Sequence, residues 1–343
     1  MPLILGVDLG GTKTHVIAAD HLGNILGFGD DKDWDYVDTD RRMRKILRIR
    51  HTVAKVVNAA GLELTDFERV SASCSGADWA FEYPIGVRQL RESLGIEMIS
   101  YYNDCIGALR GGTEMLGRDC AVICLGTGGN CSVFNREGQD FQYAYYFKDQ
   151  HQGGGAIGRF IADTVVDASV GLAPETALTG LLLQATGCAT AEEFHMMRTT
   201  GRTEYEAPTP PVYKNFAPLL FEAIRMGDAV ATAYLELFSK ELAHYVVVGA
   251  RKLGMEKRDI TVVMSGGVCK SDSLMTETIE KYLRLELPGA HCIDALFEPV
   301  VGALLLEYDK LYPEGVPPAV MATLERGCAE RELFRKVAIT RIA

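Results

Sequence analysis

Long apolar runs and paired cysteines are missing from this sequence of 343 residues. No apolar run reaches the ~18 residues that a membrane span requires, and no signal-peptide pattern precedes the first predicted strand. The nine cysteines are odd in number and scattered, without any Cys-x-x-Cys pair, which is typical of a reducing compartment. We therefore expect a cytoplasmic protein that has no membrane partner.

Basic residues are scarce as well: 35 lysines and arginines stand against 46 aspartates and glutamates, for a formal net charge of -11. Since lysine and arginine contacts to phosphates dominate nucleic-acid affinity, this balance argues against a nucleic-acid partner. The most basic run, residues 41–50, carries apolar residues at a helical period. We interpret it as the solvated face of a helix.

Hydrophobic residues make up 48% of the chain, which is enough for two domains with a core each. No linker or low-complexity segment divides the sequence. Glycine is frequent, with 35 residues, and several glycine clusters follow predicted strands. Those clusters are where we expect ligands to bind.

The first glycine cluster, residues 6–14, lies between a short apolar run and an alternating run, which predicts a strand, a turn and a second strand. Its two central glycines lack Cβ atoms, so backbone N–H groups can converge on an anion. Thr12 and Lys13 add a hydroxyl and a cation, and Asp8 stands where a strand end can present a carboxylate to a metal ion. The pattern favours nucleotide phosphates and Mg²⁺, with an ordinary glycine-rich hairpin as the alternative. A P-loop is excluded because Thr12 precedes Lys13 and a strand follows.

A second cluster, residues 125–130, repeats this arrangement. A predicted strand over 120–125 leads into Gly126-Thr127-Gly128, and a strand over 131–134 follows. Such a weak internal repeat is what a duplicated fold leaves behind. Two hairpins of this kind can hold a phosphate chain from opposite sides.

Asn103 and Asp104 follow a predicted strand over 98–102. Because open α/β sheets bind ligands just beyond the carboxyl ends of their strands, both side chains are expected in a cleft. The alternative for Asp104 is that it caps a helix starting at Cys105, since Asn and Asp are favoured caps. The two roles are compatible.

A third cluster begins after the β-branched strand predicted over 261–264. Close backbone approach at the paired glycines Gly266 and Gly267 suits a flat adenine and its ribose. We predict a helix over 271–285 after them, and its N-terminus, at Ser271, favours negative charge.

Taken in order, these motifs resemble those of the actin-like ATPase and sugar kinase superfamily. Their spacing is most similar to the N-acetylglucosamine kinase branch, which is grouped with the BadF/BadG/BcrA/BcrD-type ATPases. The resemblance implies an α/β fold of two actin-like, ribonuclease H-like lobes with duplicated mixed sheets flanked by helices. The lobes are expected at residues 1–118 and 119–319, with a tail over about 320–343 packing on the first lobe.

The resemblance also implies an ATP- and Mg²⁺-dependent kinase for a small-molecule sugar, most simply an amino sugar such as N-acetylglucosamine or glucosamine. Asp104 would be the general base, Asp8 would hold Mg²⁺ through water, and a homodimer is expected. The predicted nucleotide-binding residues are Gly10, Gly11, Thr12, Lys13, Gly126, Thr127, Gly128, Ala217, Gly266, Gly267 and Ser271. The predicted sugar-binding residues are Asn103, Asp104, Asn130 and Gly153.

The sequence departs from the family pattern in the part of the site that binds the sugar. The amino-sugar kinases carry a Gly-Asp-Glu-Gly run whose Asp binds sugar hydroxyls, and that position falls here at Gln152 or Gly153. Asp149 and His151 are the candidates for taking over its role, which the sequence alone does not show. The run over 153–158 also matches G-x-G-x-x-G, but a polar segment replaces the strand that a dinucleotide site needs, so we do not assign one. We predict the next helix over 159–169.

Two further hypotheses stay open at this point. One is an activator-type ATPase of the BadF group, which would need cysteines for an iron-sulfur cluster between two subunits. The other is a nucleotide-binding sensor that has lost sugar turnover, as the missing acidic run suggests. In the resembled kinases the loop corresponding to 32–38, which here carries Trp34 and Tyr36, reaches the sugar cleft.

Overall fold

Two five-stranded mixed sheets form the framework of the protein in the computed structural model, which describes residues 3–11, 13–31, 41–200 and 213–334. The first sheet consists of β1 Leu3–Leu9, β2 Thr14–Asp20, β3 Ile25–Asp31, β4 Phe67–Cys74 and β5 Met98–Asn103. The second consists of β6 Cys120–Leu125, β7 Gly129–Phe134, β8 Asp140–Gln142, β9 Ile260–Ser265 and β10 Ala290–Asp294.

The two sheets have the same topology. In the first, the strand order is β3-β2-β1-β4-β5, with antiparallel pairing among the first three strands and parallel pairing from β1 to β4 and β5. The second sheet has the order β8-β7-β6-β9-β10, with antiparallel pairing among the first three strands and parallel pairing from β6 to β9 and β10, so it reproduces this pattern strand for strand. The duplicated fold predicted from the repeated glycine turns is therefore confirmed.

Twelve α-helices lie in the described part of the chain. They are α1 Arg41–Ala59, α2 Glu82–Leu94, α3 Asp104–Arg110, α4 Gly153–Ser169, α5 Leu178–Thr186, α6 Ala191–Thr200, α7 Ala217–Arg225, α8 Ala229–Lys252, α9 Gly267–Ser271, α10 Ser273–Glu286, α11 Pro299–Leu311 and α12 Pro318–Glu330. None of these described helices is both long and apolar enough to cross a lipid bilayer.

The central strand β1 is buried on both faces. Leu5 and Val7 belong to the core beneath α1, whereas Ile4 belongs to a second core with α11 and α12. A continuous apolar run is what a strand covered on both sides requires. The end of β1, where the first glycine turn begins, is thereby held in a fixed position.

Helices α3 and α11 cross at an unusually close contact. A Cβ atom added to Gly302 would lie 1.8 Å from the carbonyl oxygen of Gly107, and one added to Gly107 would lie 2.6 Å from Ser73 Oγ. Only glycine permits this approach of two backbones. The crossing fixes α3, whose first residue is Asp104, against the first sheet.

Helix α12 packs on the outer strand of the first sheet. A Cβ added to Gly327 would lie 2.9 Å from Ile25 Cδ1, and Val320 belongs to the same core as Ile4. The packing of the whole tail on the first lobe stays a prediction, and residues 335–343 lie outside the described part. The domain boundary near residue 118 stays a prediction.

Beside that boundary, Asp119 joins the start of β6 to two loops of the second lobe. Its carboxylate is buried and accepts hydrogen bonds from Arg136 Nε at 2.5 Å and Arg258 NH1 at 3.1 Å. Burial acts to raise the pKa of Asp119, but these hydrogen bonds outweigh it and leave the pKa below its ordinary value. The ion pairs stabilise the folded second lobe.

Two predicted helix boundaries are wrong. Helix α4 begins at Gly153 and not at residue 159, because the N–H groups of Gly154 and Gly155 donate to carbonyls of the preceding glycine turn and start the helix there. The helix predicted over 271–285 is divided at Asp272, whose side chain accepts from Leu274 N at 3.0 Å and caps α10.

Candidate active site

A cleft of about 1150 Å³ gathers most of the residues predicted to bind ligands. The predicted residues that line it are Asp8, Gly10, Gly11, Lys13, Asp104, Gly126, Thr127, Gly128, Asn130, Ala217, Gly266, Gly267 and Ser271. Asn103 and Gly153 are buried against residues of the lining. Thr12 lies outside the described residues, as do Trp34 and Tyr36.

The first glycine turn joins β1 to β2 at one end of the cleft. In the antiparallel register Asp8 pairs with His15, and Gly10 N donates to Lys13 O at 3.0 Å to close the turn. The end of β1 is also bonded to the loop that follows the neighbouring strand β4, since Ser75 N donates to Leu9 O at 2.8 Å. Asp8 and the turn are therefore presented together at the carboxyl edge of the first sheet, as predicted.

Asp8 is a buried carboxylate, only 7% exposed, among several charges. Burial raises its pKa to about 7, with further increases from the charges of Asp104 and Glu298, while Lys13 and Lys270 lower it. His15 Nδ1 lies 3.9 Å from Asp8 Oδ2. A bound cation would offset the cost of ionising this carboxylate.

The donor set at Asp8 suits Mg²⁺. This ion prefers oxygen ligands and is commonly held by one or two carboxylates together with substrate phosphates and water. Within the described residues no group of three or more His, Cys, Asp or Glu side chains could hold a metal ion by itself. A site completed by phosphates fits both observations.

Asp104 occupies the first position of α3 at the end of β5. The residue that caps α3 is Asn103, whose extended backbone (φ -64°, ψ 149°) and side-chain oxygen, 3.0 Å from Cys105 N, meet the requirements of a cap. The capping alternative for Asp104 is therefore not needed. Asp104 itself also lines the cleft.

The environment of Asp104 suits a general base. Burial raises its pKa to about 6, with a further increase from the charge of Asp78, while Lys45 and the N–H of Cys105 lower it. The carboxylate is thus ionised at neutral pH yet more basic than an exposed aspartate. A base is most effective when its pKa lies near the working pH.

The second glycine turn is held by the start of α4. Gly126 N donates to Gly128 O at 2.9 Å, and Gly126 O in turn accepts from Gly154 N at 2.8 Å. Gln152 Oε1 accepts from Gly129 N at 2.8 Å. The amide of Gly126 is therefore used inside the turn, and those of Thr127 and Gly128 remain the predicted phosphate donors.

The third glycine cluster lies directly against the second turn. Gly266 has a φ of +98°, and an added Cβ would lie 2.3 Å from the carbonyl oxygen of Leu125. Both the backbone conformation and the close approach require glycine. Ser271 donates its hydroxyl to Val268 O at 2.7 Å, and Ala217 is the buried first residue of α7.

A chain of side-chain hydrogen bonds runs through Asn103, the residue before Asp104. Asn130 Nδ2 donates to Asn103 Oδ1 at 3.2 Å, and Asn103 Nδ2 donates to Asp78 Oδ1 at 2.7 Å. Asn130 Oδ1 accepts from the N–H of Ala144, whose φ of +44° is rarely adopted outside glycine. These bonds join residues of both sheets beside the predicted base.

Gly153, at the position where the amino-sugar kinases carry their acidic run, has no room for an aspartate side chain. A Cβ added to Gly153 would lie 2.3 Å from Gly128 O, and the backbone there has a φ of +46°. His151 points elsewhere, since its ring nitrogens lie 2.6 Å from Glu241 Oε2 and 2.9 Å from the Tyr245 hydroxyl. Of the two substitutes considered, only Asp149 lines the cleft.

Several lining residues were missed in the sequence. Lys45 lies on α1, inside the basic run interpreted as a solvated face, and its ammonium donates to Ser75 O within the cleft. That interpretation is wrong for Lys45. Asp78, to which no role was assigned, also lines the cleft from the loop after β4, where loops at strand ends are expected to bind ligands. Tyr145, a further lining residue, stacks on Trp79 with ring centroids 5.1 Å apart.

Two sheets of identical topology, with glycine turns from both lining one cleft, define a two-lobed actin-like ATPase fold. The model of the BadF/BadG/BcrA/BcrD ATPase family matches residues 5–306, and the chain belongs to this family.

Several known proteins with similar sequences or folds are sugar kinases by name. An N-acetyl-D-glucosamine kinase from Dictyostelium discoideum is 26% identical over 316 residues, covering 89% of this chain and 97% of that protein. An N-acetylmuramic acid/N-acetylglucosamine kinase from Clostridium acetobutylicum is 22% identical over 323 residues, covering 89% and 98%. The fold is similar to a candidate N-acetylglucosamine kinase from Chromobacterium violaceum, with a TM-score of 0.64, 20% identity and 89% and 99% coverage.

Proposed function

We propose that this protein is an ATP-dependent kinase that phosphorylates a hydroxyl group of an amino sugar such as N-acetylglucosamine or glucosamine. The observation that carries the proposal is the convergence of Asp104 and two separately predicted glycine turns on one cleft. Membership of an ATPase family and the names of the two sequence relatives support it.

The proposed reaction transfers the γ-phosphoryl group of ATP directly to the sugar. Asp104 accepts the hydroxyl proton while the sugar oxygen attacks phosphorus in line with the leaving ADP oxygen. Lys13 and the amides of Thr127 and Gly128 stabilise the charge on the phosphates. The hydrogen bonds of Asn103 help to orient the groups around Asp104, since phosphoryl transfer depends on orientation and electrostatics.

Mg²⁺ completes the site in this proposal. Asp8 is the residue that holds the ion, which neutralises negative charge on the phosphates when bound. Closure of the two lobes on the acceptor excludes water and limits futile ATP hydrolysis. A homodimer and a cytoplasmic location stay part of the proposal.

The test is an ADP-release assay with Mg·ATP and one acceptor at a time: glucosamine, N-acetylglucosamine, N-acetylmannosamine, glucose and none. We expect ADP release that depends on an amino sugar and is slow without an acceptor. Equal release with and without sugars would indicate an ATPase. ATP binding without release for any acceptor would indicate a nucleotide sensor.

A further inference from the structure

An ion pair that the proposed reaction does not use lies in the cleft. Lys270 donates its ammonium to Glu298 Oε1, and both side chains line the cleft. Lys270 belongs to α9, just after the third glycine cluster, and Glu298 immediately precedes α11. Since α11 packs on β1, the pair connects the predicted adenosine loop to the sheet that carries the first turn.

The pair lines the same cleft as Asp8, Lys13 and the second glycine turn, which are the residues predicted to hold Mg²⁺ and the phosphates. Lys270 lies in α9, three residues after Gly267, and the neighbouring Gly266 packs against the second turn. The side chains of Lys270 and Glu298 are 29% and 16% exposed. They are partly desolvated and can still be reached by a ligand that enters the cleft.

The chemistry of the pair changes when a nucleotide arrives. A lysine ammonium carries three donors and one positive charge, and a nucleotide phosphate chain offers it more negative charge and more acceptor oxygens than a single carboxylate does. A carboxylate near the phosphates repels them unless its charge is neutralised. Glu298 therefore stabilises the Lys270 ammonium before phosphate enters, and it opposes the binding of phosphate to the same ammonium afterwards.

We propose that Lys270 is a phosphate-binding residue which Glu298 holds in the empty cleft and releases to a nucleoside di- or triphosphate. Glu298 is in this scheme a positioning residue that competes with the nucleotide and lowers its affinity. The inference rests on the proposed nucleotide-binding function of the cleft. It differs from an ordinary structural ion pair because loss of the two partners has opposite consequences for nucleotide binding.

Lys270→Met is expected to weaken nucleotide binding about 10- to 100-fold, which is the usual range for losing a charged hydrogen bond. Glu298→Gln is expected to tighten binding about threefold to tenfold, because the fraction of protein in which Lys270 is available rises. Lys270→Arg keeps a cation at the site and should retain most of the affinity.

The experiment is isothermal titration calorimetry with ADP and with a non-hydrolysable ATP analogue, at saturating Mg²⁺, on the full-length protein. The matched control is the surface pair of Lys281 and Glu236, which has the same residue types with Nζ and Oε2 2.8 Å apart. Lys281→Met and Glu236→Gln are expected to change the dissociation constant by less than twofold. Thermal melting without nucleotide checks that every variant is folded.

Weaker nucleotide binding in Glu298→Gln would overturn the inference, because Glu298 would then hold the metal or the fold. Unchanged binding in Lys270→Met would overturn it as well. If the wild type binds nucleotide with these opposite responses and phosphorylates no sugar, only the amino-sugar part of the proposed function fails. If the wild type binds no nucleotide, both proposals fail.

Discussion

Replacing Asp104 by asparagine removes the proposed base while keeping the size and the hydrogen-bonding shape of the side chain. Because pH 7.5 lies above a pKa of about 6, most of this carboxylate is ionised at that pH, so the wild type has its base available. An amide cannot accept the hydroxyl proton. Losing a general base typically costs ~10² to 10⁴ in rate, or about 2.7 to 5.4 kcal/mol of activation free energy.

Nucleotide binding is expected to survive the same change. The charge of Asp104 raises the pKa of Asp8, so removing it leaves Asp8 more readily ionised and the metal site intact. We expect the dissociation constant for Mg·ATP to stay within about threefold of the wild type. The assay combines acceptor-dependent ADP release with calorimetric nucleotide binding on the same preparation.

Full turnover in Asp104→Asn would refute the assignment of the base. Joint loss of turnover and nucleotide binding would instead point to a damaged cleft, and thermal melting identifies that case. Asp78→Asn is the matched control, because it is the same substitution at a lining carboxylate whose proposed role is to position Asn103. It should lower the rate far less than Asp104→Asn.

Three other predictions concern the pH dependence of the reaction, the third glycine cluster and the ion pairs of Asp119. With saturating Mg·ATP, which offsets the cost of ionising Asp8, the kcat/KM for the sugar should fall below about pH 6 as Asp104 is protonated. Asp78→Asn should move this fall to lower pH, because a charge that raises the pKa of Asp104 is gone. A pH-rate profile checks both expectations. Gly266→Ala forces a Cβ to within 2.3 Å of the β6 backbone and should weaken nucleotide binding and lower the melting temperature, whereas Gly267→Ala, with open space around its Cβ, should leave the melting temperature unchanged. Asp119→Asn should lower the free energy of unfolding, measured with denaturant near pH 7, by about 2 kcal/mol. This value is smaller than the cost of breaking a fully buried ion pair, because the two arginine partners are partly exposed. Its pKa is lowered on folding, so the contribution is present above about pH 3.8 and is lost as the pH falls through the folded-state pKa; an unchanged unfolding free energy at pH 7 would show that the ion pairs contribute nothing.

The parts of the fold that could be predicted are those determined by local chemistry. Alternating and continuous apolar runs predicted strands such as β1 and β6, and the glycine turns after them predicted where the cleft lies. The carboxyl end of β5 predicted where Asp104 lies. In each case a strand period and the residue following it were sufficient.

Side chains brought in by helices could not be predicted in this way. Lys45 and Glu298 enter the cleft because α1 and α11 pack on the first sheet in one particular rotation, which no local pattern specifies. The cap of α3 was ambiguous because Asn103 and Asp104 are both good capping residues, and only the backbone angles decide between them. The start of α4 was missed since glycines are poor helix formers and the carbonyls that hold them come from the distant second turn.

The most direct test of the account follows the phosphorus itself. A ³¹P nuclear magnetic resonance spectrum of a reaction of this protein with Mg·ATP and the preferred amino sugar resolves ADP, inorganic phosphate and a sugar phosphate ester. We predict one sugar phosphate for each ADP formed and almost no inorganic phosphate. ADP accompanied by an equal amount of inorganic phosphate, without any ester signal, would contradict phosphoryl transfer to a hydroxyl held at Asp104.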